Sequence, residues 1–330
     1  MPKVAIVILN YNGQGFLEKF LPTVIQYSYS YEIIVADNAS TDNSVSFLKE
    51  TYPKVRLIEL TENSGFAEGY NKALKQIKAE YYVLLNSDIE VTPDWVLPVI
   101  QLMEANPAIA ACQPKIRNYY QKTHFEYAGA AGGYIDWLGY PFCRGRIFDT
   151  CEEDTGQYDD TKEVFWATGA CMFVRAEVFH KIGGFDGSFF AHMEEIDLCW
   201  RMKNAGYQVF YCADSMVYHV GGGTLHKSNP KKTFLNYRNG LAMLYKNLPA
   251  NKLFGIIFMR LVLDGVSSIK FLLAGSLKDI WAILKAHFAF YAMIPRLQRQ
   301  KNKQLNDIYQ KSIVAAYFIR KQKTFKELSS

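Results

Sequence analysis

Long uncharged apolar runs are missing from this 330-residue chain: no window reaches about 18 apolar residues without a charge, so a membrane-spanning helix is not expected. Paired cysteines are missing as well. Six occur (Cys112, Cys143, Cys151, Cys171, Cys199, Cys212), with no CxxC pair and no regular framework, which fits reduced thiols serving as small core residues. There is no internal repeat and no low-complexity segment, and at 49% hydrophobic composition disorder is excluded. The length suffices to bury one large domain or two smaller ones. Met1, Pro2 and Lys3 lead directly into an apolar run, leaving no room for the basic, apolar and small-residue regions of a signal peptide. A cytoplasmic protein is expected.

Charge is divided unevenly. Residues 1–226 carry 18 Lys and Arg against 28 Asp and Glu, whereas residues 227–330 carry 19 against 4. A basic tail of this kind meets an anionic surface, and its aromatic and aliphatic company favours lipid over nucleic acid. Within it, Leu253 to Ile294 is rich in apolar residues but interrupted by Arg260, Asp264, Lys270, Lys278, Asp279 and Lys285. These charges recur often enough to form the polar face of helices lying in a membrane interface. Beyond Pro295 follow Arg296, Arg299, Lys301, Lys303, Lys311, Arg320, Lys321, Lys323 and Lys326. Each basic residue near an anionic membrane contributes about 1 kcal/mol. The expected association is peripheral, at the inner face of the plasma membrane.

The first half alternates short apolar runs with helical patterns: strands at Val4 to Leu9, Glu32 to Ala36, Val55 to Leu60 and Tyr81 to Asn86, helices at Gly15 to Gln26, Thr41 to Glu50 and Gly65 to Ile77. This spacing predicts βαβ units and a mostly parallel, Rossmann-like sheet. A further helix runs from the Thr92-Pro93-Asp94-Trp95 stretch to Glu104. Residues 108–160, with Gly129, Gly132, Gly133, Gly139 and Gly145 among aromatics, predict a strand, a loop and a hairpin. Then come a buried strand at Phe165 to Val174, helices at Ala176 to Ile182 and Met193 to Ala205, and short strands at Gln208 to Cys212 and Met216 to His219. Tyr237 to Leu248 opens the helical remainder. The expected division is a catalytic α/β domain at 1–233 and a helical region at 234–330.

Chemistry-bearing residues gather at the strand ends. The strand Tyr81 to Leu85 runs into Asn86, Ser87 and Asp88, placing a carboxylate where open α/β sheets bind ligands. In the first turn, Asn10-Tyr11-Asn12-Gly13-Gln14-Gly15 is followed by Glu18 at the place where a dinucleotide fingerprint requires its third glycine, which argues against a nicotinamide enzyme. Asp37 and Asn38 end the second strand, where a carboxylate can accept hydrogen bonds from a base or ribose. Asn63, Ser64, Gly65, Phe66 and, further on, Asn71 open the third helix, whose backbone donors favour phosphate. An acidic cluster, Glu194, Glu195 and Asp197, lies about a hundred residues after Asp88, and His219 precedes a glycine run at Gly221, Gly222 and Gly223. Asp197 and Arg201 stand at i and i+4 in the favourable order, a structural pair. Glu195 projects about 100° from Glu194 and is free to face a cleft.

In this order, Val7-Ile-Leu-Asn-Tyr-Asn12, Asp37-Asn-Ala-Ser40, Asn63-Ser-Gly-Phe66, Leu84-Leu-Asn-Ser-Asp88, Gly169-Ala-Cys-Met172, Gly183-Gly-Phe-Asp186, Glu194 to Arg201 and Tyr218-His219 resemble the inverting glycosyltransferases of family 2, closest to the rhamnosyltransferase-like branch. The resemblance covers residues 3 to about 250. It implies a GT-A fold and sugar transfer from a nucleotide diphosphate sugar to a glycan or lipid-linked acceptor. It also implies a divalent cation, Mn²⁺ or Mg²⁺, held by Asp88 and His219. The family's Asp-x-Asp is here Asn86-Ser87-Asp88, and one carboxylate with substrate phosphates suffices for such a cation. By the same resemblance Glu195 is the base, and Trp166, Thr168 and Gly169 line the acceptor side. The rival expectations are a sugar nucleotidyltransferase and a catalytically silent membrane-surface scaffold.

Overall fold

The computed structural model describes residues 3–221, 229–300 and 307–329. Gly222 and Gly223 of the glycine run, and Lys301 and Lys303 of the basic tail, lie outside the described residues. The amino-terminal half runs β1 (Val4–Asn10), α1 (Gln14–Tyr27), β2 (Glu32–Asp37), α2 (Ser44–Thr51), β3 (Arg56–Glu59), α3 (Gly65–Leu74) and β4 (Tyr81–Asn86). β1 and β4 are apolar at successive positions because helices cover both faces of the sheet, and their side chains are buried on either side. β2 and β3 add in parallel on one side of β1, and β4 adds in parallel on the other. The direction of winding therefore reverses between β1 and β4, and a crevice opens beyond their carboxyl ends.

The sheet continues through β5 (Ile89–Val91), α4 (Leu97–Ala105) and β6 (Ile109–Asn118). Residues 108–160, predicted as a strand, a loop and a hairpin, give β6 and then a small antiparallel sheet of β7 (Gly133–Ile135), β8 (Pro141–Cys143), β9 (Arg146–Ile147) and β10 (Thr150–Cys151). β11 (Lys162–Glu163), β12 (Cys171–Arg175), α5 (Ala176–Lys181), α6 (Glu194–Asn204) and β13 (Gln208–His219) follow. The main sheet has the order β11-β13-β6-β12-β4-β1-β2-β3, with β5 also paired to β13. The strand expected from Phe165 begins only at Cys171. Before it, Phe165 N and Trp166 N both donate to Gly133 O, and Thr168 N turns to Gln113 Oε1, so this stretch is buried without joining the main sheet. The two strands expected after Gly206 are one, β13, kinked by a register shift between Cys212 and Met216.

The remainder is α7 (Pro230–Asn247), α8 (Ala250–Leu273) and α9 (Leu277–Met293). α7 starts seven residues before the expected Tyr237, with Pro230 in its first turn and the Asn229 side chain accepting from Lys231 N at 2.9 Å. Leu241, Ala242, Met243 and Leu244 of α7 share one core with Val7, Tyr82, Met172 and Leu198. The 233/234 division thus falls inside a helix that packs on the sheet's own core. Among the described residues no helix is long and apolar enough to cross a membrane.

Candidate active site

Strand register brings the first two turns together. Leu9 stands opposite Asn86, and Asn10 opposite Asp37. Asn10 Nδ2 donates to Asp37 Oδ1 at 3.0 Å, while Ser40 donates to the same carboxylate through Oγ at 2.6 Å and N at 2.8 Å. Asp37 is consequently buried, with three of its roughly four acceptor positions filled from within the fold. Asn12 turns the chain at φ 51°, and its Oδ1 accepts from Thr41 N at 2.7 Å. Gly13 is required here, since a Cβ would stand 2.4 Å from Asn10 Oδ1 and 3.4 Å from Ser87 Oγ. Tyr11 is left exposed at the mouth of the crevice. Asn10 Oδ1 is buried there and has no hydrogen-bond partner among the described residues.

The third turn is wired internally. Asn38 Nδ2 donates to Asn63 Oδ1 and Gly65 O, and Asn38 Oδ1 accepts from Ser64 N. Asn71 pairs with the backbone of Phe185 in both directions, at 2.9 and 3.0 Å. The expectation of a phosphate seat at the start of α3 is corrected by the structure. Phe66 N and Ala67 N already donate to Phe190 O at 2.7 and 3.2 Å, so a carbonyl occupies the place of the anion. Gly65 permits this approach with φ +77°, for a Cβ would lie 2.5 Å from the Phe190 ring.

On the other side of the crevice, Asn86 N donates to Ala170 O, and Asp88 follows two residues later. Pairing of β13 with β5 sets His219 opposite Ile89, and Val220 N donates to Asp88 O at 3.1 Å. His219 Nε2 is 3.2 Å from Asp88 Oδ1, and His219 Nδ1 is 3.0 Å from Glu126 Oε2. All three side chains are buried. Burial alone would lower the His219 pKa, but Glu126 and Asp88 together hold it well above its ordinary value. Burial likewise pushes both carboxyls up, and the His219 charge outweighs it and holds them low. Glu126 escaped the sequence reading because it lies between two aromatics in a stretch without periodicity.

Among the described residues no cluster of three or more His, Cys, Asp and Glu is placed to hold a metal ion. The pair itself nevertheless fits a divalent cation. With Nδ1–H donating to Glu126, the Nε2 lone pair of a neutral ring faces a carboxylate oxygen, and two acceptors 3.2 Å apart attract only through a positive charge. A proton can supply it, and so can a cation that takes its remaining ligands from phosphate and water.

The acids of α6 divide by environment. Asp197 is fully buried and accepts from Arg201 Nε at 2.8 Å, Lys246 Nζ at 2.8 Å and Asn247 Nδ2 at 2.7 Å, which binds α6 to α7. Glu194 is buried, Glu195 half-buried, and the Oε2 of each has no partner among the described residues. Burial pushes the Glu195 carboxyl up to about 7. Burial, reinforced by the neighbouring Glu195, holds Glu194 well above the carboxylate range. The loop before them is contorted, with Phe190, His192 and Met193 at φ between 64° and 71°. It is held by α7: Asn239 Nδ2 reaches the carbonyls of Phe189, Ala191 and His192 at 2.8 to 2.9 Å, and Arg238 reaches those of Ser188 and Phe189. Asn239 was also missed, its partners lying nearly fifty residues away.

Gly169 joins the two halves of the site. A Cβ on it would stand 3.8 Å from Glu195 Cβ and 2.9 Å from the Phe66 ring, and its neighbour Ala170 bonds Asn86. Glu195 and the Asp88–His219 pair therefore share one rim of the sheet. Trp166 does not join them. It is buried against Gly133, with Nε1 donating to Tyr134 O at 2.9 Å, so it is a core side chain and not a wall of an acceptor site. Thr168 is buried too, its Oγ1 accepting from Ala170 N at 3.2 Å to shape the turn.

Residues 5–183, more than half of the chain, match Glycosyl transferase family 2. The chain belongs to glycosyltransferase family 2. It is 26% identical over 230 residues to the N-acetylglucosaminyl-diphospho-decaprenol L-rhamnosyltransferase of Mycobacterium tuberculosis, covering 65% of this chain and 75% of that protein. Rhamnosyltransferase WbbL of Escherichia coli is 27% identical over 217 residues, 63% of this chain and 80% of that one. Both of these relatives are rhamnosyltransferases, of the branch the sequence resembles. Among solved structures, GalNAc-T7 with UDP, GalNAc and Mn²⁺ aligns with a TM-score of 0.58 at 15% identity, covering 76% of this chain and 49% of that one. The mannosyltransferase PcManGT from Pyrobaculum calidifontis, in complex with GDP-Man and Mn²⁺, gives 0.53 at 18%, covering 89% and 75%. Both share the GT-A fold with this enzyme.

Proposed function

We propose that this enzyme transfers a sugar, with inversion, from a nucleotide diphosphate sugar to a hydroxyl of a glycan or lipid-linked acceptor in the building of a cell-surface polysaccharide. The observation that carries the reading is the row Glu126–His219–Asp88 at the sheet edge, with Glu195 across Gly169 on the same rim. Asn10, Tyr11, Asn12 and Asp37 form the nucleoside end of the crevice, with Asn38 and Asn63 shaping the adjacent turn. Asn86 and Ser87 lie between it and the reacting carbon. Asp88 and His219 are the residues that would hold the divalent cation, oriented by Glu126, and the imidazole ligand favours Mn²⁺ modestly. When bound, the cation offsets charge on the departing diphosphate. Ionised Glu195 takes the proton from the acceptor hydroxyl as its oxygen bonds to the anomeric carbon. The bond from that carbon to the diphosphate oxygen breaks on the opposite face, and the nucleotide leaves with the electron pair. Glu194, held neutral, spares Glu195 a second negative charge, and Asp197 ties the helix down.

The names of the mycobacterial and Escherichia coli relatives support a rhamnosyl donor, and the first supports a lipid-linked diphosphate acceptor. The catalytic domain, expected at 1–233, extends in this reading through α7, and the rest of 234–330 serves as a basic helical region that keeps the enzyme at the cytoplasmic face of the membrane. The test is a panel of nucleotide sugars screened for thermal stabilisation with Mn²⁺, with Mg²⁺ and after chelation, followed by assignment of the product anomer. Cation-dependent stabilisation and an inverted anomer are expected. Stabilisation by none of the panel, or release of pyrophosphate from a sugar phosphate and a nucleoside triphosphate, refutes the reading in favour of a silent scaffold or a nucleotidyltransferase.

A further inference from the structure

Helix α8 turns charge inward and much of its apolar surface outward. Its fully buried residues are Ile256, Arg260 and Asp264, two of them charged, flanked by the half-buried Leu253, Ile257, Leu261 and Leu263. Its outward face carries Phe254, Phe258, Val262, Val266, Ile269 and Leu273, with Phe254 85% and Leu273 84% exposed. α9 buries an apolar face, Ala282, Ile283, Ala286 and Phe290, yet carries a second apolar stripe outward: Leu277, Trp281, Leu284, Phe288 and Tyr291, three or four residues apart, are exposed. The sequence suggested that Arg260 and Asp264 belong to an outward polar face, and the structure corrects this. Arg260 Nη1 donates to Leu138 O at 2.9 Å and its guanidinium lies 3.9 Å from the Tyr140 ring centre. Asp264 Oδ2 lies 2.9 Å from His287 Nε2 of α9. Polar groups thus help fasten the hairpin to the body and to itself, while a second set of apolar side chains, beyond those packed on the core, faces away.

In water this ordering is unfavourable, since an amphipathic helix ordinarily turns its apolar stripe to the core. Against an apolar medium it is the favourable one. The charges around the stripes identify that medium. The exposed ionic residues between 250 and 299 are Lys252, Lys270, Lys278, Lys285, Arg296 and Arg299, all basic. The two acids of this stretch are turned in: Asp264 is buried, and Asp279 accepts from Thr233 Oγ1 and Ser276 Oγ. A second copy seated on the same face would bring one basic rim against another, whereas anionic head groups complement it.

We propose that the α8–α9 hairpin is a monotopic membrane seat. Its outward stripes enter the boundary between head groups and acyl chains of an anionic bilayer, to a depth of about 5–10 Å, while the basic rim stays among the head groups. The inference rests on the peripheral-membrane reading above and adds the element, the face and the depth. α8 has 24 residues and lies along the surface for about 36 Å. Because α9 packs on α7, and α7 holds the loop before Glu194, the seat is fixed relative to the active site.

The test uses the full chain and vesicles of phosphatidylcholine with and without phosphatidylglycerol. Flotation with the anionic vesicles is expected to survive high salt, which removes screened surface attraction but not burial. With the half-buried Trp137 replaced by Phe, lipid brominated near the head group should quench Trp281, because Trp95, Trp166 and Trp200 are buried, and the further change Trp281→Phe should abolish the quenching. The double substitution Phe258→Asp with Val266→Asp, on exposed positions that leave the fold intact by circular dichroism, should weaken flotation at least tenfold. Absence of flotation, flotation abolished by salt and indifferent to the double substitution, or a soluble dimer that the double substitution dissociates would each overturn the proposal. Nucleotide-sugar stabilisation measured on the same preparations separates the two readings: its loss with flotation intact sinks the enzymatic reading and supports the seat.

Discussion

Replacing Glu195 with Gln should cost the enzyme its turnover and at the same time make it more stable above neutrality. The carboxyl sits half-buried with one oxygen unpartnered, and burial raises it from 4.5 to about 7. Between those two values the folded protein holds a proton that the unfolded chain releases. Stability from this group is therefore complete below pH 4.5 and is lost as pH rises through about 7. At 1.36 kcal/mol for each pH unit, the loss approaches about 3 kcal/mol on the alkaline side. Gln has nearly the same shape and no proton to lose, so the variant escapes this decline. Catalysis runs the other way. A base acts only when ionised, so wild-type turnover should climb tenfold per pH unit below about 7 and level off above it. Removing the base should lower turnover by about 10²- to 10⁴-fold with donor binding intact. Nucleotide release and urea midpoints, each followed across neutrality for both proteins, measure the two effects. A variant with wild-type turnover, or one with no stability gain at alkaline pH, would show that the base lies elsewhere or that burial does not hold this carboxyl up as described.

Glu126→Gln should weaken Mn²⁺ binding to the nucleotide-loaded enzyme by about 10- to 100-fold, read by metal titration, because His219 loses the carboxylate that orients it. Asn239→Ala frees three carbonyls of the loop before Glu194. It should cost about 1–3 kcal/mol in denaturant unfolding and lower kcat while leaving donor KM unchanged. Trp166→Phe removes the indole N–H donated to Tyr134 O and should lower the melting temperature with no change in acceptor KM.

What could be read directly from the residues was whatever depends on neighbours in the chain. The apolar runs of β1 and β4 announce a sheet covered on both faces, and the polar residues just beyond them must emerge at its carboxyl edge, which marks Asp88, while His219 is marked by its place at the end of a later short strand and by the family resemblance. Asp197 was separable from Glu195 because Arg201 is one helical turn away. What depends on distant partners was hidden. Glu126 meets its histidine 93 residues later, and nothing local distinguishes it. The start of α3 looks like an anion site in any sequence, and only the tertiary arrival of the Phe190 carbonyl shows it to be closed. Trp166 is equally suited to stacking on a sugar and to filling a core, and the space left by Gly133 decides. In α8 the periodicity gives two faces but not which one points inward, and the charges of Arg260 and Asp264 invert the usual guess.

Asn239 belongs to a helix that a reader of domains would assign to the tail, yet its amide sets the backbone from which the acid cluster springs. Anyone grafting the last hundred residues of a relative onto this chain would exchange more than an anchor, since the junction would carry a foreign brace for the reaction centre. A productive crossover has to fall beyond Leu248, after α7 has done its bracing and before the hairpin begins.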